Sequence, residues 1–241
     1  MKHVGILAHS PDGAALAFKE FCHVGYKKFG EAIHPDITLD YIAMGRSLPA
    51  WDRNDLSEVR STLANSIDRL AAVGAEFFFC PDNTAHIALE FEGPALSLPG
   101  LNIADIVAHE AKRRGMTKVG VLGTRFTMLG HVYPRALGVL GIESVSPNDA
   151  DRGVIDEIIF SELCNGIIRG ESRDQYCEII DRLKDDGCDG VALVCTEIPL
   201  LISELDSSLP ILDSTRLIAK AAFEIGVEES PIPSWFGGPV G

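Results

Sequence analysis

One short pattern occurs twice in this chain, and it restricts the available folds more than any other feature. Val4-Gly5-Ile6-Leu7-Ala8 returns as Val119-Gly120-Val121-Leu122-Gly123. Each copy is followed further on by a second apolar run, "EFFFC" at 76–80 and "GVALV" at 190–194, and each of these runs leaves a helix-ending glycine, Gly74 or Gly187. Both runs end in small polar turns, "PDNTAH" and "CTEIP". Counted from strand glycine to turn, Gly5 to Asp82 is 77 residues and Gly120 to Cys195 is 75. Recurrence at this interval marks a duplicated α/β unit. The expectation is an α/β fold of two similar domains, each with a mainly parallel four-stranded sheet flanked by helices. Pseudo-twofold symmetry would relate them, with the active site in the cleft between. The boundaries expected are 1–100 for the first domain, 101–210 for the second, and 211–241 for a strand and helix returning to the first.

Apolar spacing fills in the elements. The run 3–8 reads as a buried strand, 14–30 as a helix closed by Gly30, and 36–44 as a second strand. Asn54 or Asp55 is placed to cap a helix over 56–73 that Gly74 ends. The continuous bulk of "EFFFC" suits a strand buried on both faces, as in a parallel sheet. A short helix over 84–91 and a further strand at 94–98 complete the first round. The second round has helices at 101–114, 127–140, 151–168 and 172–186, with strands in 118–127, near 142–145 and at 190–194. "LPILDSTRLIAKAAFEIG" closes the chain's ordered pattern with one strand and one helix.

Charge narrows the partners. With 35 acidic and 21 basic residues the formal charge is −14, which works against nucleic acid or an anionic membrane surface as a partner. A few arginines in a pocket still suffice to bind a small acid. No apolar run approaches the roughly 20 residues of a membrane helix, and the opening "MKHVGILAHS" is too short an apolar run for a secretory leader. The six cysteines, Cys22, Cys80, Cys164, Cys177, Cys188 and Cys195, form no CxxC pair and no regular framework. Free thiols in the cytoplasm are the expectation.

In parallel sheets ligands bind beyond the carboxyl ends of the strands, which draws attention to the turns. Cys195 sits at a strand tip where the next residues begin a helix, and backbone N–H groups there favour a lowered thiol pKa. The competing reading is a small buried hydrophobe, as expected for the other cysteines. Asp82 lies in a Pro-Asp-Asn-Thr turn, where it could equally be a helix cap. Asn83, Thr84, Thr124 and Thr196 add small polar groups at matching places in both halves, a receptor suited to carboxylate oxygens. His86 and Glu197 flank the two turns, and His9 and Ser10 follow the first strand. Arg53 in "PAWDRND" and Arg125 in "GTRFT" are the best-placed cations for a substrate carboxylate. Metal-ligand spacing is lacking, as is the glycine density of a dinucleotide fingerprint or a P-loop.

The stretches "PDNTAH" (81–86), "LGTRFTM" (122–128), "ELCNGII" (162–168), "ESRDQY" (171–176), "CTEIPLLI" (195–202) and "ILDST" (211–215) resemble the cofactor-independent aspartate/glutamate racemase family. The resemblance implies two similar α/β domains, no cofactor, a small acidic amino acid or dicarboxylate as substrate, and a homodimer. It also implies two catalytic groups on opposite faces of the substrate α-carbon. The second family cysteine maps onto Cys195, whereas the first, in a Pro-Cys-Asn-Thr-Ala-His pattern, is Asp82 here. Arg53 falls where the family places a side-chain-carboxylate clamp, and Asn83, Thr84, Thr124 and Thr196 match the substrate-binding turns. A carboxylic acid with an ordinary pKa of about 3.9 is a ready base but a poor proton donor beside a thiol at about 8.5. Three readings stay open at this point. One is an asymmetric Asp82/Cys195 racemase of aspartate or glutamate. The others are a single-cysteine isomerase or decarboxylase of a related dicarboxylate, and a binding protein for acidic amino acids.

Overall fold

The computed structural model of the chain describes residues 1–240. The chain divides into two compact units, Met1–Ile103 with Thr215–Gly241, and Ala104–Ser214.

In the first unit, β1 (Val4–Ala8) leads to α1 (Pro11–Phe29), β2 (Ile37–Tyr41), α2 (Leu48–Asp52), α3 (Leu56–Ala72), β3 (Phe77–Phe79) and α4 (Ala85–Leu89). Asp55, one of the two caps expected, closes the start of α3 by accepting from the Glu58 N–H at 3.0 Å. The sheet is parallel in the order β2-β1-β3. Its three consecutive phenylalanines feed both faces, as their bulk predicted. Phe78 packs with Leu63, Ile67 and Leu70 of α3, while Phe79 stacks on Phe21 of α1, which in turn meets Phe223 edge-on.

This sheet has three strands where four were expected. The segment 94–98 makes no strand, because Pro94 and Pro99 bring no N–H to a ladder. Only Gly100 bridges to Phe78, with Phe78 N–H donating to the Pro99 carbonyl at 3.0 Å. On its other side Gly100 pairs with Trp235.

The second unit begins with α5 (Ile103–Arg113) and continues through β4 (Lys118–Leu122), α6 (Arg125–Leu129), α7 (Val132–Val139), β5 (Glu143–Val145), α8 (Asp149–Ser161), α9 (Gly170–Asp185), β6 (Gly190–Leu193), α10 (Ile198–Leu201) and β7 (Ile211–Asp213). The single helix expected at 127–140 is two, broken where Gly130 adopts an extended conformation. All four strands are parallel, in the order β5-β4-β6-β7. The segment 211–241 therefore divides, since β7 joins this second sheet. The helix that follows, α11 (Ser214–Gly226), belongs to the first unit from Thr215 onward.

The repeat seen in the sequence is physical. Helices α3 and α9 both end on a left-handed glycine, Gly74 at φ 92° and Gly187 at φ 89°. In both, the next N–H closes back on a helix leucine carbonyl at 3.0 Å, Ala75 on Leu70 and Cys188 on Leu183. Those same leucines cover the strand glycines: a β-carbon on Gly5 would lie 3.0 Å from Leu70, and one on Gly120 2.7 Å from Leu183. Glycine in each central strand thus lets a helix lie close on the sheet. A Gly120→Val substitution should cost about 1–3 kcal/mol by overpacking. Gly138→Ala, in α7 with open space around it, should gain about 0.5–1 kcal/mol. Urea melts of the two variants check both signs.

Candidate active site

Register puts the candidate residues at the strand tips. Gly5 pairs with Phe78 and Gly120 with Val191, so Asp82 and Cys195 each lie four residues past the partner of the strand glycine. The same count sets His9 opposite Asp82 and Thr124 opposite Cys195.

In the first unit Asp82 uses its two oxygens differently. Oδ1 accepts from the backbone N–H groups of Thr84 at 2.9 Å and Ala85 at 3.3 Å, so Asp82 itself, and not the hydroxyl of Thr84, caps α4. Oδ2 meets Nδ1 of the buried His9 at 2.9 Å. The other ring nitrogen of His9, Nε2, lies 2.9 Å from Oγ of Ser47, whose hydroxyl donates to the Met44 carbonyl at 3.1 Å. Burial pushes the Asp82 carboxyl up, but the His9 hydrogen bond and charge, the Ala85 N–H and His86 outweigh it, leaving a pKa below the ordinary value. Asp82 thus rests as a carboxylate.

The surrounding residues hold this turn. His86 is buried, donates from Nε2 to the Cys80 carbonyl at 3.0 Å and stacks on Trp235 with ring centroids 5.9 Å apart. Asn83 is buried, and its carbonyl accepts from the His86 N–H. Ser10 caps α1 by accepting from the Gly13 N–H at 3.3 Å. Cys80, buried behind the turn, has its thiol pKa raised by burial and by Asp82, which keeps it a neutral neighbour.

In the second unit Cys195, Thr196 and Glu197 form one buried group. The Cys195 thiol donates to Glu197 Oε2 at 3.0 Å, and the Thr196 hydroxyl donates to the same oxygen at 2.7 Å. The expected lowering of the thiol pKa is overturned. Burial and then the Glu197 carboxylate push Cys195 well above its ordinary value, and the backbone N–H of Glu197 does not compensate. Helix α10, which starts here, is only four residues long and offers a weak dipole. Thr124 caps α6, its Oγ1 3.2 Å from that of Thr127.

The two candidate cations are at the surface. Arg53 ends α2 and pairs with Glu58 at 2.7 Å, both exposed. Such a pair contributes about 0–1 kcal/mol and is readily given up to a better acid. Arg125 opens α6, with its guanidinium 5.0 Å above the Phe126 ring and its backbone N–H on Asp156.

Three residues of these clusters carried no usable sequence signal as site residues. Ser47 reads as a helix cap before Leu-Pro, yet its hydroxyl turns to His9. Trp235 reaches His86 from far along the chain. Tyr176 is fully buried on α9, where burial and then Cys195 raise its phenol pKa, and its hydroxyl makes no hydrogen bond. Among the described residues no group of three His, Cys, Asp or Glu side chains could hold a metal ion, and no helix is long and apolar enough to cross a membrane.

Comparison with known proteins places these features in context. Residues 34–222 match the model of the Asp/Glu/Hydantoin racemase family. The broad specificity amino-acid racemase RacX of Bacillus subtilis (strain 168) is 27% identical over 173 residues, 69% of this chain and 72% of the relative. The crystal structure of a candidate Asp/Glu racemase from Yersinia pestis superposes with a TM-score of 0.81 at 30% identity, covering 95% of this chain and all of the other. An aspartate racemase homologue from Pyrococcus horikoshii OT3 gives 0.78 at 28% identity, with the same coverage.

Because the Glu197 anion opposes a charged thiol, Glu197→Gln should lower the pH at which Cys195 becomes a thiolate. Site-resolved alkylation of Cys195 against pH reads this directly, with the midpoint moving down in the variant.

Proposed function

This chain belongs to the Asp/Glu/Hydantoin racemase family and is an amino-acid racemase; we propose that its substrate is aspartate or glutamate, and that Asp82 and Cys195 work on opposite faces of the α-carbon. The observation that carries the proposal is the equal register position of these two residues, one at the tip of each sheet's third-in-sequence core strand pair, β1/β3 and β4/β6. Each stands beside a buried partner able to exchange a proton with it, His9 for Asp82 and Glu197 for Cys195.

The chemistry runs in two directions. When Asp82 acts first, its carboxylate takes the α-proton and the Cys195 thiol returns one to the other face. The reverse runs from the enzyme form this leaves, with Asp82 protonated and Cys195 a thiolate: the thiolate takes the α-proton and the Asp82 acid gives its own proton to the other face. The resting state, carboxylate and thiol, is set for the first of these. The N–H and hydroxyl groups of Asn83, Thr84, Thr124 and Thr196 are proposed to receive the substrate carboxylates, with Arg53 released from Glu58 to hold the side-chain carboxylate and Arg125 in support. The same reading carries a cofactor-free reaction, a homodimer and a cytoplasmic location.

The equilibrium constant between enantiomers is unity, so kcat/KM must be equal in both directions. The unequal resting states of Asp82 and Cys195 can appear only as kcat and KM that differ between enantiomers in compensating ways. Circular dichroism of pure L- and D-aspartate and glutamate over time tests the proposal. Loss of optical activity is expected from both enantiomers of one acid. Cys195→Ser and Asp82→Asn should each reduce the rate by about 10²–10⁴-fold, whereas Asp82→Cys should retain racemisation. No change with any acidic amino acid refutes the assignment of substrate, and full activity in Asp82→Asn refutes the role of Asp82.

A further inference from the structure

Helix α4 carries the Asp82 turn, yet at five residues it is too short to hold its own position. Its placement comes from what packs on it. Oδ1 of Asp82 accepts from the N–H groups of Thr84 at 2.9 Å and Ala85 at 3.3 Å, so the carboxylate points where the start of α4 points. His86 lies in that first turn. Its Nε2 donates to the Cys80 carbonyl at 3.0 Å. One face of its ring is covered by the Trp235 indole, with 5.9 Å between centroids and 14° between planes. Trp235 also packs against the core cluster that contains Ala85, Ala88 and Leu89 of the same helix.

The segment that brings Trp235 here, 235–238, is itself tied down. The Gly100 N–H donates to the Trp235 carbonyl and the Leu96 N–H to the Phe236 carbonyl, both at 2.8 Å. The Gly238 N–H donates to the Leu89 carbonyl at 2.8 Å, at the far end of α4. The Trp235 indole N–H closes on the Gly238 carbonyl at 3.0 Å. That Leu89 carbonyl accepts as well from Nη1 of the buried Arg60 at 2.6 Å, while Nη2 holds the Pro94 carbonyl at 2.7 Å. Glycine is required beside this guanidinium, since a β-carbon on Gly237, at φ 74°, would lie 2.8 Å from Nη1. One short helix thus receives the indole at its first turn, and Gly238 with Arg60 at its last carbonyl.

We propose that residues 235–238 form a clasp on α4, and that Trp235 is a positioning residue that acts through His86 to hold the Asp82 carboxylate in its working direction. The use of that direction rests on the racemase reading, whereas the clasp does not. Trp235 needs no contact with substrate to act in this way. Its hold on the turn is the flat stack on His86, a contact that a phenylalanine ring can also make. The indole N–H to Gly238 serves the segment itself. A residue that only added apolar contact would stabilise the first unit as a whole. A clasp protects the Asp82 turn beyond the rest of that unit.

The first test needs no turnover. Amide hydrogen exchange of the whole chain is followed by NMR at pH 7 in wild type, Trp235→Ala and Trp235→Phe. In Trp235→Ala the Thr84 and Ala85 N–H groups should exchange about 3–10-fold faster, a larger change than in the amides that join β1 to β2. Trp235→Phe should restore most of the protection. A change at the turn equal to or smaller than that between β1 and β2 overturns the clasp. Should the racemase reading fail instead, the wild type would turn over no acidic amino acid while the exchange difference would still be seen. Where racemisation is present, Trp235→Ala should lower kcat about 10–100-fold with KM changed less than about threefold, and Trp235→Phe should recover most of the rate. An unchanged kcat, or a loss confined to KM, contradicts the positioning role.

Discussion

Close packing of a helix leucine over a strand glycine, made once in each half of the chain, is the contact on which the remaining geometry depends. Leu70 lies over Gly5 and Leu183 over Gly120. Each contact fixes how near its helix lies to the sheet. The glycine turn that follows, Gly74 or Gly187, then fixes where the next strand enters. In β3 and β6 both faces are buried, and four residues past the glycine's partner each strand runs out into a turn with Asp82 or Cys195 at its tip.

At those equal positions the chain places different acids with matched partners. The thiol of Cys195 is paired with a carboxylate, Glu197, and the carboxylate of Asp82 is paired with an imidazole, His9. The partner in each case corrects what its acid lacks. A thiol held high by burial needs a base to take its proton, and a carboxylate held low needs an acid to give it one. On the proposed reading, an aspartate in place of a thiol takes its buried partner from the neighbouring strand tip, where register sets His9.

How much of this the sequence reveals follows the range of the interactions. The strand glycines, the helix-ending glycines, the buried phenylalanine run and the turns after β3 and β6 are local patterns, and from them the α/β class, the duplication and the positions of Asp82 and Cys195 are readable. The fourth strand expected in the first sheet does not form, because Pro94 and Pro99 leave a ladder without donors. The thiol pKa was misjudged in the same way. The N–H groups at a helix start are visible from sequence, but the depth of burial and the aim of Glu197 onto the sulfur are tertiary facts. His9 and Ser47 are 38 residues apart, and no local pattern links a histidine after one strand to a serine that reads as an ordinary helix cap.

Two-sided chemistry at a single α-carbon is the central claim, and hydrogen exchange in deuterated water tests it most directly. Each enantiomer of aspartate and glutamate is incubated separately, and α-deuterium content is followed by proton NMR in the remaining substrate and in its mirror image. Action of Asp82 and Cys195 from opposite faces predicts that the newly formed enantiomer carries deuterium from its first appearance, while unconverted substrate gains it only as product returns. Deuterium entering the starting enantiomer without inversion would show one group removing and replacing the proton on a single face, and would contradict the pairing of Asp82 with Cys195.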